Sequence, residues 1–303
     1  MIKSPKRRST AIKDTTSDKI YYFICYAVIT LLMLIVLYPL IYIVSASFSS
    51  AEAITGGKMW LWPVDISLVG YKYVLQYDAI WLGYRNTIFY TVVGTLINVV
   101  MTMTCAYGLS RPGMPGRRFL SFIFTFTMIF KGGMIPNYIL MKDLKLLNTV
   151  WSMLIPGAIS VYNLTVERTY IENNIPKDLL EAAHIDGCSD IRFFFSMVIP
   201  LSKPIIAVLL LMYGSAHWNA YFNAFLYLTD KNLYPLQIFL RQILVQGNLS
   251  ADMLDPEAMA QMQTLQQILK YTVIVISTAP MLCLYPFVQK YFQQGMMIGA
   301  VKG

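Results

Sequence analysis

From Ile20 to Val44 the chain runs twenty-five residues without a charged side chain. A helix of that length rises about 37 Å, more than the roughly 30 Å of a bilayer's hydrocarbon core. In lipid, only a helix or a closed barrel satisfies its own backbone, so this run is expected to cross a membrane as a helix. Five further apolar stretches follow, at about Asn86–Leu109, Phe119–Leu140, Val150–Val166, Lys203–Leu226 and Ile268–Gln289. Composition agrees: 13% of residues are charged, against roughly a quarter in a soluble domain. The expected fold class is an all-α polytopic membrane protein with six transmembrane helices. It divides into a basic tail (1–19), a six-span domain (20–289) and a tail (290–303). A basic start before an apolar run also resembles a signal peptide, but this run is long enough to span and more spans follow.

Charge sets the orientation. With the N-terminus inside, fifteen of the twenty-four Lys and Arg fall in cytoplasmic segments, as the positive-inside rule requires. The net charge of +8 is not gathered into one aromatic-interleaved patch, so membrane lipid rather than nucleic acid is the expected partner. Neither the four cysteines nor the two histidines show metal-ligand or redox spacing.

Several spans carry internal signals. Thr87, Thr91, Thr95, Asn98 and Thr102 recur at helical steps on one face of the second span. That stripe suits either close helix packing or the wall of a polar path. Lys131-Gly132-Gly133 and Pro136 should break or bend the third span, and Pro156-Gly157 the fourth. On the fifth, Ser215, Asn219 and Asn223 stand at i, i+4 and i+8, beside Tyr213, Trp218 and Tyr221. Amides and aromatic faces are what a weak saccharide site uses, and the same row also suits a seam against another subunit. The loop Ser45–Arg85 is rich in Trp and Tyr, as at a membrane interface. Tyr227–Gln267 reads as a polar connection with a helix from Pro256.

The most informative polar stretch is 174–200. Asn174 reads as a cap for a helix Pro176–Ile185, and Gly187 as its left-handed stop. Ser189 or Asp190 then caps a second helix, with Ile191, Phe194 and Val198 on one face and Pro200 at its end. The order Glu181-Ala182-Ala183, three residues, Gly187, nine residues, then Met197-Val198-Ile199-Pro200 resembles the EAA loop of permease subunits in bacterial ATP-binding-cassette importers. The usual ending is Ile-x-Leu-Pro, and Met197 and Ile199 are apolar substitutes of similar volume.

The spans contain no Asp or Glu apart from Glu167, read as lying at the cytoplasmic end of span four. Ion-coupled carriers place carboxylates or broken-helix ion sites at mid-membrane. No phosphate loop is present, since Gly56-Gly57-Lys58-Met59 lacks both the upstream glycine and the Ser/Thr. Ser215 and His217 are two residues apart on one helix and point to different faces, which argues against an integral-membrane enzyme.

Beyond the loop, Leu146-Leu147-Asn148-Thr149 and the ending from Gln289-Lys290-Tyr291-Phe292 to Gly299-Ala300-Val301-Lys302-Gly303 resemble the MalG-like subunits of maltose-type carbohydrate importers. Within that family, His217-Trp218-Asn219-Ala220-Tyr221-Phe222-Asn223 and Leu233-Tyr234-Pro235-Leu236-Gln237 resemble the branch that imports oligosaccharides or polysaccharide fragments in Gram-positive bacteria. The resemblance implies a type I importer fold in a bacterial plasma membrane, with both termini cytoplasmic. It implies a second, different permease subunit, two ATPase subunits that bind ATP and Mg, and an extracellular sugar-binding lipoprotein, with no cofactor on this chain. It assigns ATPase coupling to Glu181, Ala182, Ala183, Asp186 and Gly187, and it implies that the last residues reach toward the ATPases. The substrate path is expected at Ser215, Trp218, Asn219, Asn223 and Asn98.

Overall fold

A computed structural model describes residues 15–246, 265–283 and 286. Among them the regular structure is entirely helical. Two helices are each long and apolar enough to cross a membrane, and two bent pairs would each supply one more span. The basic tail up to Asp14, the start expected at Pro256 for a further helix, residues 247–264 of the connection and the C-terminal tail lie outside the described residues.

The first helix, α1 (Thr16–Ser47), starts inside the expected tail because Thr15 and Asp18 form a capping box. The Thr15 hydroxyl and amide bonded to Asp18 hold that carboxyl below its usual range. Apart from its last turn, α1 is exposed along its length. Two short helices, α2 (Ala51–Thr55) and α3 (Val69–Gln76), occupy the segment expected to be a loop. Tyr71 there stacks on Phe48 at 5.0 Å and meets Ser47 Oγ at 2.8 Å.

The bundle is built around α4 (Asp78–Ser110), which begins eight residues earlier than expected. Its polar stripe faces inward: Thr87, Thr95, Asn98 and Thr102 are buried. Small residues let neighbours approach; a Cβ on Gly94 would fall 2.5 Å from the His217 ring. The stretch expected as a third span is broken into α5 (Arg117–Ile129) and α6 (Met134–Asp143), bent by 119°. The break lies at Gly133, with φ +90°, while Pro136 is accommodated within α6. The fourth divides at Gly157, φ +76°, into α7 (Trp151–Leu154) and α8 (Val161–Asn174). Because α8 continues well past Val166, Glu167 is mid-helix and wholly buried rather than at a helix end.

After the hinge come α9 (Lys177–Ile185), α10 (Asp190–Phe193), a π-turn over Phe194–Val198 and α11 (Ile199–Leu201). The stretch expected as a fifth span, about Lys203–Leu226, is divided. α12 (Lys203–Trp218) stops at Asn219, and α13 (Phe222–Tyr227) is a separate helix. The polar connection then forms α14 (Leu236–Gln246), and a last helix covers residues 265–283.

Contacts distant in sequence fix these pieces. The Leu236 amide donates to Thr87 Oγ1 at 2.8 Å, and Asn86 Nδ2 to the carbonyls of Asn232 and Tyr234. Asn148, in the left-handed region at φ 54° that asparagine tolerates, accepts the amides of Thr229 and Asp230 at 3.0 and 2.8 Å. The Tyr213 hydroxyl ties three helices together, meeting Thr102 Oγ1 at 2.7 Å and the Ser160 amide at 3.0 Å.

Candidate functional site

The hinge begins where α8 ends. Asn174 does not cap the next helix: its Nδ2 turns back to the Tyr170 carbonyl at 2.9 Å. Pro176 occupies the cap position of α9 with no side-chain bond. The buried Ile175 between them anchors the turn in the main apolar cluster with Ile171, Phe193 and Leu209. Asp178 sits in the first turn of α9, where the helix dipole favours an acid.

At the other end the glycine stop forms as expected. Gly187 has φ +74°. Its amide donates to His184 O at 3.0 Å, and the Cys188 amide to Ala183 O at 2.8 Å. This pair of bonds is a Schellman cap, and Ala183 and Cys188 supply its apolar contact with the core. The cap separates the roles of the two alanines. Ala182 is exposed, whereas Ala183 packs inward with Leu179 and Leu180. Glu181, Asp186 and Gly187 are all exposed, and Ile185 is 86% exposed.

Ser189, rather than Asp190, caps the second arm by accepting the Arg192 amide at 3.4 Å. The face that packs is Phe193, Phe194 and Val198, while Ile191 is 73% exposed. The reason is aromatic contact. Phe194 lies 5.0 Å from the Tyr107 ring, and the Arg111 guanidinium stands over the rings of Tyr107 and Phe193 at 4.1 and 5.3 Å. Pro200 does not end this arm. The π-turn just before it absorbs the proline, and the chain bends by 80° at Ser202 into α12.

Two polar links that the sequence did not reveal join the hinge to α4. The Tyr107 hydroxyl donates to Asp190 O at 3.2 Å and to Asp190 Oδ1 at 3.3 Å. His184 Nε2 lies 3.4 Å from that same Oδ1. Beside them a cleft of about 330 Å³ opens between Arg111, Arg117, Glu172, Lys177 and Glu181. Glu172 takes both Arg117, at 2.5 Å, and Arg168, at 3.0 Å. The only signal in the sequence was an aromatic residue one helical turn before a basic turn, too common a pattern to single out.

The expected path residues are only partly brought together. Ser215 and Trp218 line a groove of about 700 Å³, with Tyr84, Thr91 and Thr95 across from them. The Trp218 indole donates to Ser277 O at 3.1 Å, and its ring lies 6.4 Å from Tyr84. Most of the remaining wall is apolar, with the hydroxyls of Thr91 and Thr95 enclosed and unpartnered. Asn219 is not among the residues that line the groove and bonds back to Ser215 O at 2.9 Å. Asn223 is on α13, so the expected i, i+4, i+8 row is broken at Asn219. Asn98 is buried away from the groove lining, with Oδ1 unpartnered. A groove like this offers ring faces and hydroxyls to a passing solute, or a seat to a neighbouring helix. Among the described residues no cluster of His, Cys, Asp and Glu suits a metal.

Comparison with known proteins places these features in context. The model for "binding-protein-dependent transport system inner membrane component" matches residues 79–298. The chain is 39% identical to the polygalacturonan/rhamnogalacturonan transport system permease protein YtcP of Bacillus subtilis (strain 168), over 94% of this chain and 99% of that protein. It is also 39% identical to protein LplC of the same organism, over 89% and 90%. A crystal structure of a bacterial ABC transporter involved in the import of the acidic polysaccharide alginate matches with TM-score 0.83 and 36% identity. That match covers 92% of this chain and 99% of the other.

Proposed function

From the premise that this chain belongs to the family of binding-protein-dependent transport system inner membrane components, we propose that it is a permease subunit that passes an oligosaccharide into a bacterial cell. ATP hydrolysis on separate subunits drives the step. The carrying observation is the hinge, exposed at its tip and clamped at its base. Glu181, Ala182, Ile185, Asp186 and Gly187 face outward, whereas Ala183, Phe193 and Tyr107 tie the same segment to α4 and α8. An ATPase that grips the exposed tip therefore pulls on the bundle instead of on a loose loop. The left-handed glycine keeps the two arms rigid with respect to each other.

The remaining assignments follow from this reading. The chain crosses the membrane six times, using α1, α4, the two bent pairs, α7 together with α8, and the helix over 265–283 as spans, with both termini in the cytoplasm. ATP and Mg sit on two ATPase subunits. A second, different permease completes the path along the α4–α12 groove, and an extracellular sugar-binding lipoprotein delivers the substrate. The polysaccharides named for the relatives support a carbohydrate cargo.

The test is purification of the tagged chain from native membranes in mild detergent, followed by reconstitution into vesicles. Recovery of a second permease and an ATPase, with ATP-dependent oligosaccharide uptake, is the expected result. A chain that purifies alone and transports in response to an ion gradient would overturn the proposal.

A further inference from the structure

Arg241 sits on the α14 face that meets the end of α12 and the start of α13. This is the far end of α4 from the hinge: α14 packs at Gly83 and Thr87, whereas the hinge binds at Tyr107. Twenty residues of helix separate Thr87 from Tyr107, or about 30 Å. The Arg241 guanidinium lies 4.7 Å from the Tyr221 ring centroid and 5.2 Å from that of Phe225. Those two rings are stacked on each other at 5.8 Å. One turn earlier on α14, Gln237 Nε2 reaches Trp218 O at 3.5 Å, which joins this cluster to the rim of the groove.

Three features distinguish the cluster from an ordinary surface arginine. Arg241 is exposed, and among the described residues it has no acidic partner. A guanidinium that stacks by its flat face keeps its in-plane N–H fork for a carboxylate, which it takes through two parallel hydrogen bonds. Beside it the Tyr221 hydroxyl is enclosed with no hydrogen-bond partner, and Phe225 is 60% exposed, offering a ring face to the C–H surface of a sugar. A cation held over two rings, one of them largely exposed, matches an acidic sugar better than a neutral one.

We propose that Arg241, with Tyr221 and Phe225, forms a subsite for the carboxylate of a uronic-acid-containing oligosaccharide at the mouth of the path. The inference rests on the oligosaccharide-import reading and deepens it. The subsite holds the acidic group as the sugar enters the groove beside Trp218.

The experiment uses the complete transporter with its binding protein in vesicles. It measures uptake of trigalacturonate, its fully methyl-esterified form and maltotriose, in wild type, Arg241→Gln and Arg241→Lys. In Arg241→Gln, uptake of the acidic trimer is expected to fall about tenfold, the scale of one lost charge-assisted hydrogen bond. Uptake of the uncharged trimers stays as in wild type, and Arg241→Lys retains part of the acidic uptake. Equal loss for charged and uncharged sugars, or failure of the variant complex to assemble, assigns Arg241 to packing or to lipid phosphate and overturns the subsite. Unchanged acidic uptake in Arg241→Gln overturns it as well. Wild-type import of maltotriose but not of trigalacturonate leaves the import reading standing and removes only this inference. Import of none of the three by wild type removes both.

Discussion

Replacing Gly187 by alanine isolates the conformational cost of the hinge from its steric fit. The residue sits at φ +74°, and a Cβ built there meets nothing within 4 Å. The substitution therefore introduces no clash, only the left-handed penalty of an L-residue, about 1–2 kcal/mol. At 25 °C that shifts the balance between this turn and its alternatives by roughly five- to thirty-fold. The two bonds of the cap, Cys188 to Ala183 and Gly187 to His184, weaken together because both need the same residue in the same conformation. Asparagine, which tolerates this region, should restore most of the turn. In vesicles carrying the full complex, sugar imported per ATP hydrolysed is expected to drop several-fold in Gly187→Ala. It should stay near wild type in Gly187→Asn, with equal protein in the membrane for both. If alanine leaves that ratio unchanged, or asparagine is as damaging as alanine, the turn conformation is not what couples hydrolysis to transport.

Other perturbations probe the rest of the frame. Gly94→Ala drives a methyl to within 2.5 Å of the buried His217 ring, and it should destabilise the α4–α12 contact by about 1–3 kcal/mol. Thermal unfolding in detergent checks this, with Gly108→Ala, whose nearest neighbour is a methionine sulfur at 3.6 Å, as a control that does not lose stability. Asn148→Ala removes the shared acceptor of the Thr229 and Asp230 amides and puts alanine at positive φ, so the unfolding midpoint falls on the same assay. Tyr107→Phe deletes the donor to Asp190 and costs less than about 1.5 kcal/mol in stability. It should nevertheless lower sugar imported per ATP, because the hinge loses a tie to α4. Full coupling in this variant would show that aromatic contact alone carries the pull.

The membrane class, the inward stripe on α4 and the turn at Gly187 could all be read from the chain, because each is a property of neighbouring residues. Twenty-five uncharged residues need no partner to demand a helix in lipid, threonines at helical steps share a face whatever packs on it, and a glycine before a capped helix takes positive φ by its own sterics. Readings that depended on a distant partner fared differently. Phe193 and Phe194 are buried in place of Ile191 because Arg111 stands over the first ring and Tyr107 packs on the second. The row through Asn223 fails because the helix ends at Asn219, and Glu167 is enclosed because α8 runs on along α4. The groove at Trp218 and the stacked Arg241 likewise required elements separated by many residues to meet. Local sterics and the cost of bare backbone in lipid act within a turn or two of helix, so the sequence alone determined what kind of protein this is and where it bends. Which face each helix buries is settled only by contacts such as Thr87 with Leu236 and Asn148 with Asp230, and these exist only once the bundle has closed.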